Sequence, residues 1–292
     1  MTAAASYLVR LAARSAATGT VLCLGIDPDP AALPEGFPTT IAGIEGFSRI
    51  VLEAALPHVA AVKPNLAFFE AYGAAGLAAL ERLRAIIPAD VPVIADAKRG
   101  DIGTTAARHA TALFDVLGAD AVTASPYLGS EAIAPLLDRT DRFVYVLCRT
   151  SNPGAGELQD LVVAESSRPD AAAPAEPLYA RVARRAAGWG PGGTVGLVVG
   201  ATAPHELRAV RAIAPGLAFL VPGVGAQGGD VAAVMQHGRA TASPAADGPG
   251  GGLVVNVSRG ISGAASDGSG GDIGDRIAAA AAGWAARLPV LE

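Results

Sequence analysis

Apolar and polar positions alternate along this chain in blocks. Short β-rich apolar runs fall at Val21–Asp27, Val59–Asn65, Val91–Lys98, Ala121–Pro126, Phe143–Thr150, Thr194–Ala201, Leu217–Gly225 and Leu253–Arg259, eight in all. Within each run the side chains do not alternate apolar with polar, the pattern expected when both faces of a parallel strand are buried. Between the runs lie Ala/Leu-rich stretches that predict helices: Ala67–Ile87, Thr104–Leu117, Pro204–Ile213 and Asp272–Leu288. Eight strands, each followed by a helix or helical turn, predict an α/β fold, a single (β/α)8 TIM barrel spanning 1–292, rather than an open sheet. Two stretches stand outside the alternation. A polar, Pro/Ala-rich insertion falls at about 154–177, and a Gly-rich segment at about 238–252 reads as a flexible loop.

In such a barrel the chemistry collects at the C-terminal ends of the strands. Those ends carry Asp27, Lys63, Asp96 with Lys98, Ser125, Thr150-Ser151-Asn152, Pro222 to Gln227, and Ser258-Arg259, whereas the N-terminal ends are mostly apolar or Pro. Solvated turns would show no such asymmetry. The densest point is IADAKRGDIGTT at 94–105, which packs Asp96, Lys98, Arg99 and Asp101 into six positions of a chain that is only 17% charged.

Composition narrows the classes of function. The chain has 292 residues and a net charge of −5, so it lacks the basic footprint of a nucleic-acid binder. Cys23 and Cys148 sit in apolar runs and read as buried, reduced thiols. The four histidines are scattered without metal-ligand spacing. Residues 1–26 hold Arg10 and Arg14 and no acid, but Tyr7, Leu8 and Leu11 share a helical face, which predicts a packed helix rather than a targeting segment. The uncharged run Ala212–Gly229 is broken by Pro and Gly, so no membrane span is expected. A soluble cytoplasmic protein is the expectation.

Asp96 and Lys98 lie two apart on a strand and so point to one side. Lys63 ends the neighbouring strand. A carboxylate between two ammonium groups stays ionised. Asp101, past Gly100 and ahead of the Thr104 helix, reads equally as a helix-capping group or as part of the array. This array has neither a nucleophile–base pair nor a metal cluster. It suits holding an ammonium proton against a developing carbanion, with a fixed carboxylate beside an anionic group that must leave. A separate anion site is suggested by PGVGAQGGD (222–230) and by NVSRGISG (256–263), which brings Arg259 to the end of the last strand. Loops after the seventh and eighth strands are where these barrels hold phosphate.

The segment Asp96-Ala-Lys98-Arg-Gly-Asp101-Ile102-Gly-Thr-Thr105 resembles the signature of the orotidine 5′-phosphate decarboxylase family, and DAKRGDIG together with the chain length is similar to its longer bacterial branch. The resemblance runs from Asp27 to Arg259. It implies conversion of orotidine 5′-monophosphate to UMP and CO2, the last step of UMP biosynthesis, without metal or organic cofactor. By the same resemblance, Lys98 is the proton donor to C6 of the pyrimidine and Asp96 lies against the substrate carboxylate. Lys63 holds the charges in place and contacts the ribose, which Asp27 also binds. Ser151 meets the pyrimidine edge, and Gln227 and Arg259 hold the phosphate, with Pro222 at the head of the same substrate-binding loop. Asp101, Ile102 and Thr105 reach into a partner subunit's site, which implies a homodimer. The insertion at 154–177 departs from the shorter enzymes.

Two other readings compete. A metal-dependent sugar-phosphate decarboxylase or epimerase of the same barrel superfamily would want a further acidic ligand at the strand ends, where Lys63 and Ser125 stand instead. A non-catalytic nucleotide-phosphate-binding barrel would keep Gln227 and Arg259 but has no use for Lys63, Asp96, Lys98 and Asp101.

Overall fold

The eight apolar runs become eight parallel strands: β1 (Leu22–Ile26), β2 (Ala61–Pro64), β3 (Ile94–Arg99), β4 (Ala121–Ala124), β5 (Phe143–Arg149), β6 (Val195–Val199), β7 (Ala218–Pro222) and β8 (Leu253–Val257). The computed structural model describes residues 5–164, 175–266 and 271–291. Hydrogen-bonded neighbours run in the order β2-β1-β8-β7-β6-β5-β4-β3. The ring closes between β2 and β3 through the parallel bridges Val62↔Val93 and Asn65↔Asp96, with Val62 N donating to Pro92 O at 3.0 Å. The fold is therefore the expected (β/α)8 barrel, and each predicted strand is present within three residues of its expected ends.

Both faces of the strands are buried, and the period-two alternation sorts them into two clusters. Cys23, Ala61, Ile94, Ala121, Phe143, Tyr145, Val198, Leu220 and Val254 face inward and fill the barrel. Leu22, Leu24, Val62, Val144, Val146, Leu197 and Val255 pack outward against the helices. The chain's first helix, Tyr7–Thr18, closes the N-terminal end. Its Tyr7 ring stacks on Phe143 with centroids 4.8 Å apart, and the Tyr7 and Tyr145 hydroxyls lie 3.1 Å apart. The arginines that gave this segment its basic look are engaged, Arg10 with Asp120 at 2.5 Å and Arg14 with the Leu56 carbonyl at 2.7 Å.

Three expectations are revised. The helix expected over Ala67–Ile87 is two, Ala67–Glu70 and Gly73–Ile86, because Gly73 at φ 59° turns the chain between them. The Thr104–Leu117 helix begins at Gly103 and widens into a π-helical turn at Thr111–Val116. The stretch 238–252, expected as a flexible loop, is tied down: Arg211 donates to the Gly238 carbonyl at 2.6 Å, Thr241 N donates to Pro215 O at 2.9 Å, and Ala240 and Ala245 join the inner cluster. Its glycines fold it back on itself, with positive φ at Gly250, Gly251 and Gly252. In the insertion at 154–177, Val162–Val163 pairs antiparallel with Glu176–Pro177, while residues 165–174 lie outside the described residues. Among the described residues no helix is long and apolar enough to cross a membrane.

Candidate active site

The charged strand end is built on a distortion. Ile94 and Ala95 pair with Ala121 and Val122, but the next pair is Arg99 with Ala124, so Asp96, Ala97 and Lys98 together stand opposite Thr123. Lys98 adopts a left-handed backbone, φ 49°. For a residue with a Cβ that conformation costs about 1–2 kcal/mol, so the surroundings must hold it. The N–H groups of Ala97 and Lys98 both donate to Thr123 Oγ1 at 3.0 Å. Asp96 and Lys98 thus share a side as expected, but through a bulge rather than plain alternation.

Asp96 gathers the cations. Lys63 Nζ donates to its Oδ2 and Lys98 Nζ to its Oδ1, each at 2.6 Å, and the Thr123 hydroxyl lies 2.9 Å from Oδ1. The side chains of Lys63 and Asp96 are 5% and 11% exposed, while that of Lys98 is 51% exposed. One ammonium is therefore a buried anchor and the other stands at the open mouth. Burial on its own would raise the Asp96 pKa, but the two ammoniums outweigh it and hold the carboxyl well below the usual carboxylate range. Burial likewise works to lower the Lys63 pKa, and Asp96 and then Asp27 outweigh it, leaving that pKa raised. Asp27 follows β1, whose Gly25 pairs with Lys63, so the expected ribose-side carboxylate stands beside the array.

The expected phosphate end assembles on the same rim. A pocket of about 120 Å³ is lined by Asp27, Gly225, Gln227, Asn256 and Arg259 among others. It depends on missing side chains. A Cβ on Gly25 would come within 3.0 Å of Asn256 Oδ1, and one on Gly223 within 2.8 Å of Gln227 Oε1 and 3.4 Å of the Ser151 Cβ. Gly223 thus lets Ser151 and Gln227 approach one another beside Pro222, the last residue of β7. The Ser151 loop is fixed by Gln159, which accepts from Thr150 N and donates to Thr150 Oγ1, both at 2.8 Å.

The three remaining candidates lie elsewhere. The Asp101 carboxylate accepts from Ile102 N at 2.8 Å and the Asp101 N–H donates to Ala132 O, while Ile102 and Thr105 are exposed. Within one chain the Lys63–Asp96–Lys98 array is complete without them. Arg99, conspicuous in the motif, forms an ion pair with Glu70 from the segment after β2. Sequence reasoning missed Thr123 and Asn256. Each is a single polar residue inside an apolar run, and that interruption was the available signal. The Asn256 amide oxygen is buried without a hydrogen-bond partner among the described residues. Among the described residues, no group of three or more His, Cys, Asp or Glu side chains is placed to hold a metal ion.

A (β/α)8 barrel with an ionised array and an anion-ready rim at one end is the frame of an enzyme acting on a small phosphorylated molecule. The orotidine 5′-phosphate decarboxylase / HUMPS family model matches residues 20–269, and the chain belongs to that family. It is 48% identical over 257 residues to the orotidine 5′-phosphate decarboxylase of Thermomicrobium roseum, covering 88% of this chain and 86% of that one. The enzyme of the same name from Halorubrum lacusprofundi is also 48% identical over 257 residues, with 88% and 87% covered. Among solved structures, Leishmania donovani OMP decarboxylase superposes with a TM-score of 0.79 at 39% identity, covering 97% of this chain and 96% of that one.

Proposed function

We propose that this chain decarboxylates orotidine 5′-monophosphate to UMP and CO2, the last step of UMP biosynthesis. The observation that carries the reading is the Lys98 ammonium, held 2.6 Å from an Asp96 carboxylate that is kept ionised by a second, buried ammonium. The bond from C6 to the carboxyl group breaks, its electron pair stays on C6, and CO2 leaves. Lys98 gives its proton to C6 and later regains one from water. Asp96 lies against the departing carboxylate, Lys63 holds Asp96 and reaches the ribose, and Asp27 binds the ribose hydroxyls. Ser151 meets the pyrimidine edge. Gln227 and Arg259 hold the phosphate, and Pro222 heads the loop that carries Gln227.

The pyrimidine offers no ordinary electron sink for a C6 carbanion, so stabilisation must come near the top of the enzymatic range, roughly 20 kcal/mol. A preorganised array suits that demand, because it need not reorganise when charge develops. Binding energy from the phosphate contributes where it is realised only in the transition state.

The active unit in this reading is a homodimer in which Asp101, Ile102 and Thr105 enter the partner subunit's site. Support comes from exposed apolar side chains on the loops after β3 and β4, which Ser125 N joins by donating to Arg99 O at 2.8 Å. Ile102 is 62% exposed, and Tyr127 and Leu128 after β4 are 82% and 50% exposed. Exposed apolar side chains, where they adjoin, mark association surfaces. Two buried free thiols, Cys23 and Cys148, fit the reducing cytoplasm.

The test is a spectrophotometric assay of orotidine 5′-monophosphate with EDTA present. Turnover undiminished by EDTA is expected. Turnover that EDTA abolishes favours the metal-dependent barrel reading, and phosphate-ester binding without turnover favours the non-catalytic one.

A further inference from the structure

Thr123 is 2% exposed in the middle of β4, and its hydroxyl has three polar neighbours. These are the N–H groups of Ala97 and Lys98, each at 3.0 Å, and Asp96 Oδ1 at 2.9 Å. A threonine hydroxyl has one proton to give and two lone pairs to offer. Two N–H donors occupy the lone pairs, so the proton goes to the carboxylate. Every bond direction around this oxygen is fixed.

The hydroxyl grips the bulge at the residue whose backbone is left-handed. Lys98 needs that grip more than Lys63 does. The Lys63 side chain is enclosed by packing, whereas that of Lys98 is half-exposed and takes its aim from its backbone and from Asp96. One side chain therefore holds both the base of Lys98 and the carboxylate to which its ammonium is paired.

We propose that Thr123 is a positioning residue for the decarboxylation, pinning the Asp96–Lys98 bulge so that the Lys98 ammonium is aimed at the reacting carbon. This rests on the function proposed above. Thr123 touches no reacting atom in this scheme. It acts on proton delivery and not on phosphate or ribose binding, so its loss falls on kcat.

Three variants test it: Thr123→Val, which keeps the shape, and the pair Thr123→Ser and Thr123→Ala, which differ by one oxygen. For each, kcat and KM with orotidine 5′-monophosphate, Kd for UMP and the thermal melt are measured. Misplacing a reacting group by about 1 Å costs about 10²-fold, so Val and Ala are expected to lose kcat on that order while Kd for UMP stays near the wild-type value. Ser is expected to keep most of kcat. Val and Ala turning over like wild type overturns the proposal. So does a parallel loss of kcat and UMP affinity that Ser fails to rescue, and so does unfolding of both hydroxyl-free variants, since each marks a purely structural role. An inactive wild-type enzyme would instead refute the proposed function itself.

Discussion

Lys63 and Asp96 join the barrel across the place where its ring closes. Their 2.6 Å ion pair spans β2 and β3, which are linked by isolated bridges rather than by a continuous ladder. The pair is buried, and Lys98 completes it from the mouth. Stability and chemistry should therefore separate by residue. Removing one partner of a buried pair costs about 3–5 kcal/mol, so Asp96→Ala, which strands the Lys63 ammonium, should be destabilised by that order in urea unfolding. Lys98→Ala loses a half-exposed pair worth about 0–1 kcal/mol and should unfold near wild type, yet lose the proton donor and with it decarboxylation. Turnover within about tenfold of wild type would fall short of the 10²–10⁴-fold expected of a general acid and remove Lys98 from that role.

The array should hold one charge state across the neutral range. The Asp96 pKa is depressed, so its stabilising contribution is present above the unfolded value near about 4 and is lost as pH falls through the folded value. The Lys63 pKa is raised, so its contribution is present below about 10.4 and is lost as pH rises through the folded value. A carbon-13 NMR titration should show no Asp96 carboxyl transition between about pH 4 and 10. In Lys63→Met the same resonance should titrate at higher pH, because burial then meets one ammonium instead of two.

Arg259→Ala should weaken UMP far more than uridine. A charge-assisted hydrogen bond contributes about 1.5–3 kcal/mol, roughly 10- to 100-fold in Kd by calorimetry. Equal losses for nucleotide and nucleoside would place Arg259 away from the phosphate.

Asp101 should act in the partner subunit's site. When inactive Lys98→Ala and Asp101→Ala proteins exchange subunits, each mixed dimer has one site with both lesions and one with neither. Random exchange should then return about one quarter of wild-type activity. Exchange confirmed by native mass spectrometry without recovered activity would return Asp101 to its own subunit.

Both thiols should be inert in the folded chain. Burial pushes Cys23 and Cys148 up to about 12, which leaves almost no thiolate at pH 8. Iodoacetamide should add no mass to the native protein and two adducts after denaturation. Native alkylation would show that one of these strands opens.

The strands were legible because parallel strands buried on both faces leave short, mostly apolar runs without polar alternation. Pro204 at the first turn made the Pro204–Ile213 helix legible in the same way. What local pattern could not show was geometry imposed from another strand. The left-handed backbone of Lys98 depends on Thr123, which lies far along the chain, and nothing in DAKRGD announces it. Gly73 breaks a helix inside an Ala-rich run that reads as continuous, and Gly250 to Gly252 tighten a stretch whose composition reads as loose. Asp27, Lys63, Asp96 and Lys98 do converge as their strand ends implied. Asp101, Ile102 and Thr105 form no part of that cluster in one chain.

The helix at the barrel's N-terminal end has a consequence for traffic. Tyr7, Phe143 and Tyr145 fill the floor and are all but inaccessible, while Arg10 and Arg142 converge on Asp120 at its edge. Among the described residues, side-chain packing fills this end of the barrel. In the proposed reaction the substrate, the gas and the nucleotide would then all pass at the opposite rim, where Gln227 and Arg259 line one pocket. Carbon dioxide formed against Asp96 would then leave by the mouth where the half-exposed Lys98 stands, the side by which the nucleotide also departs.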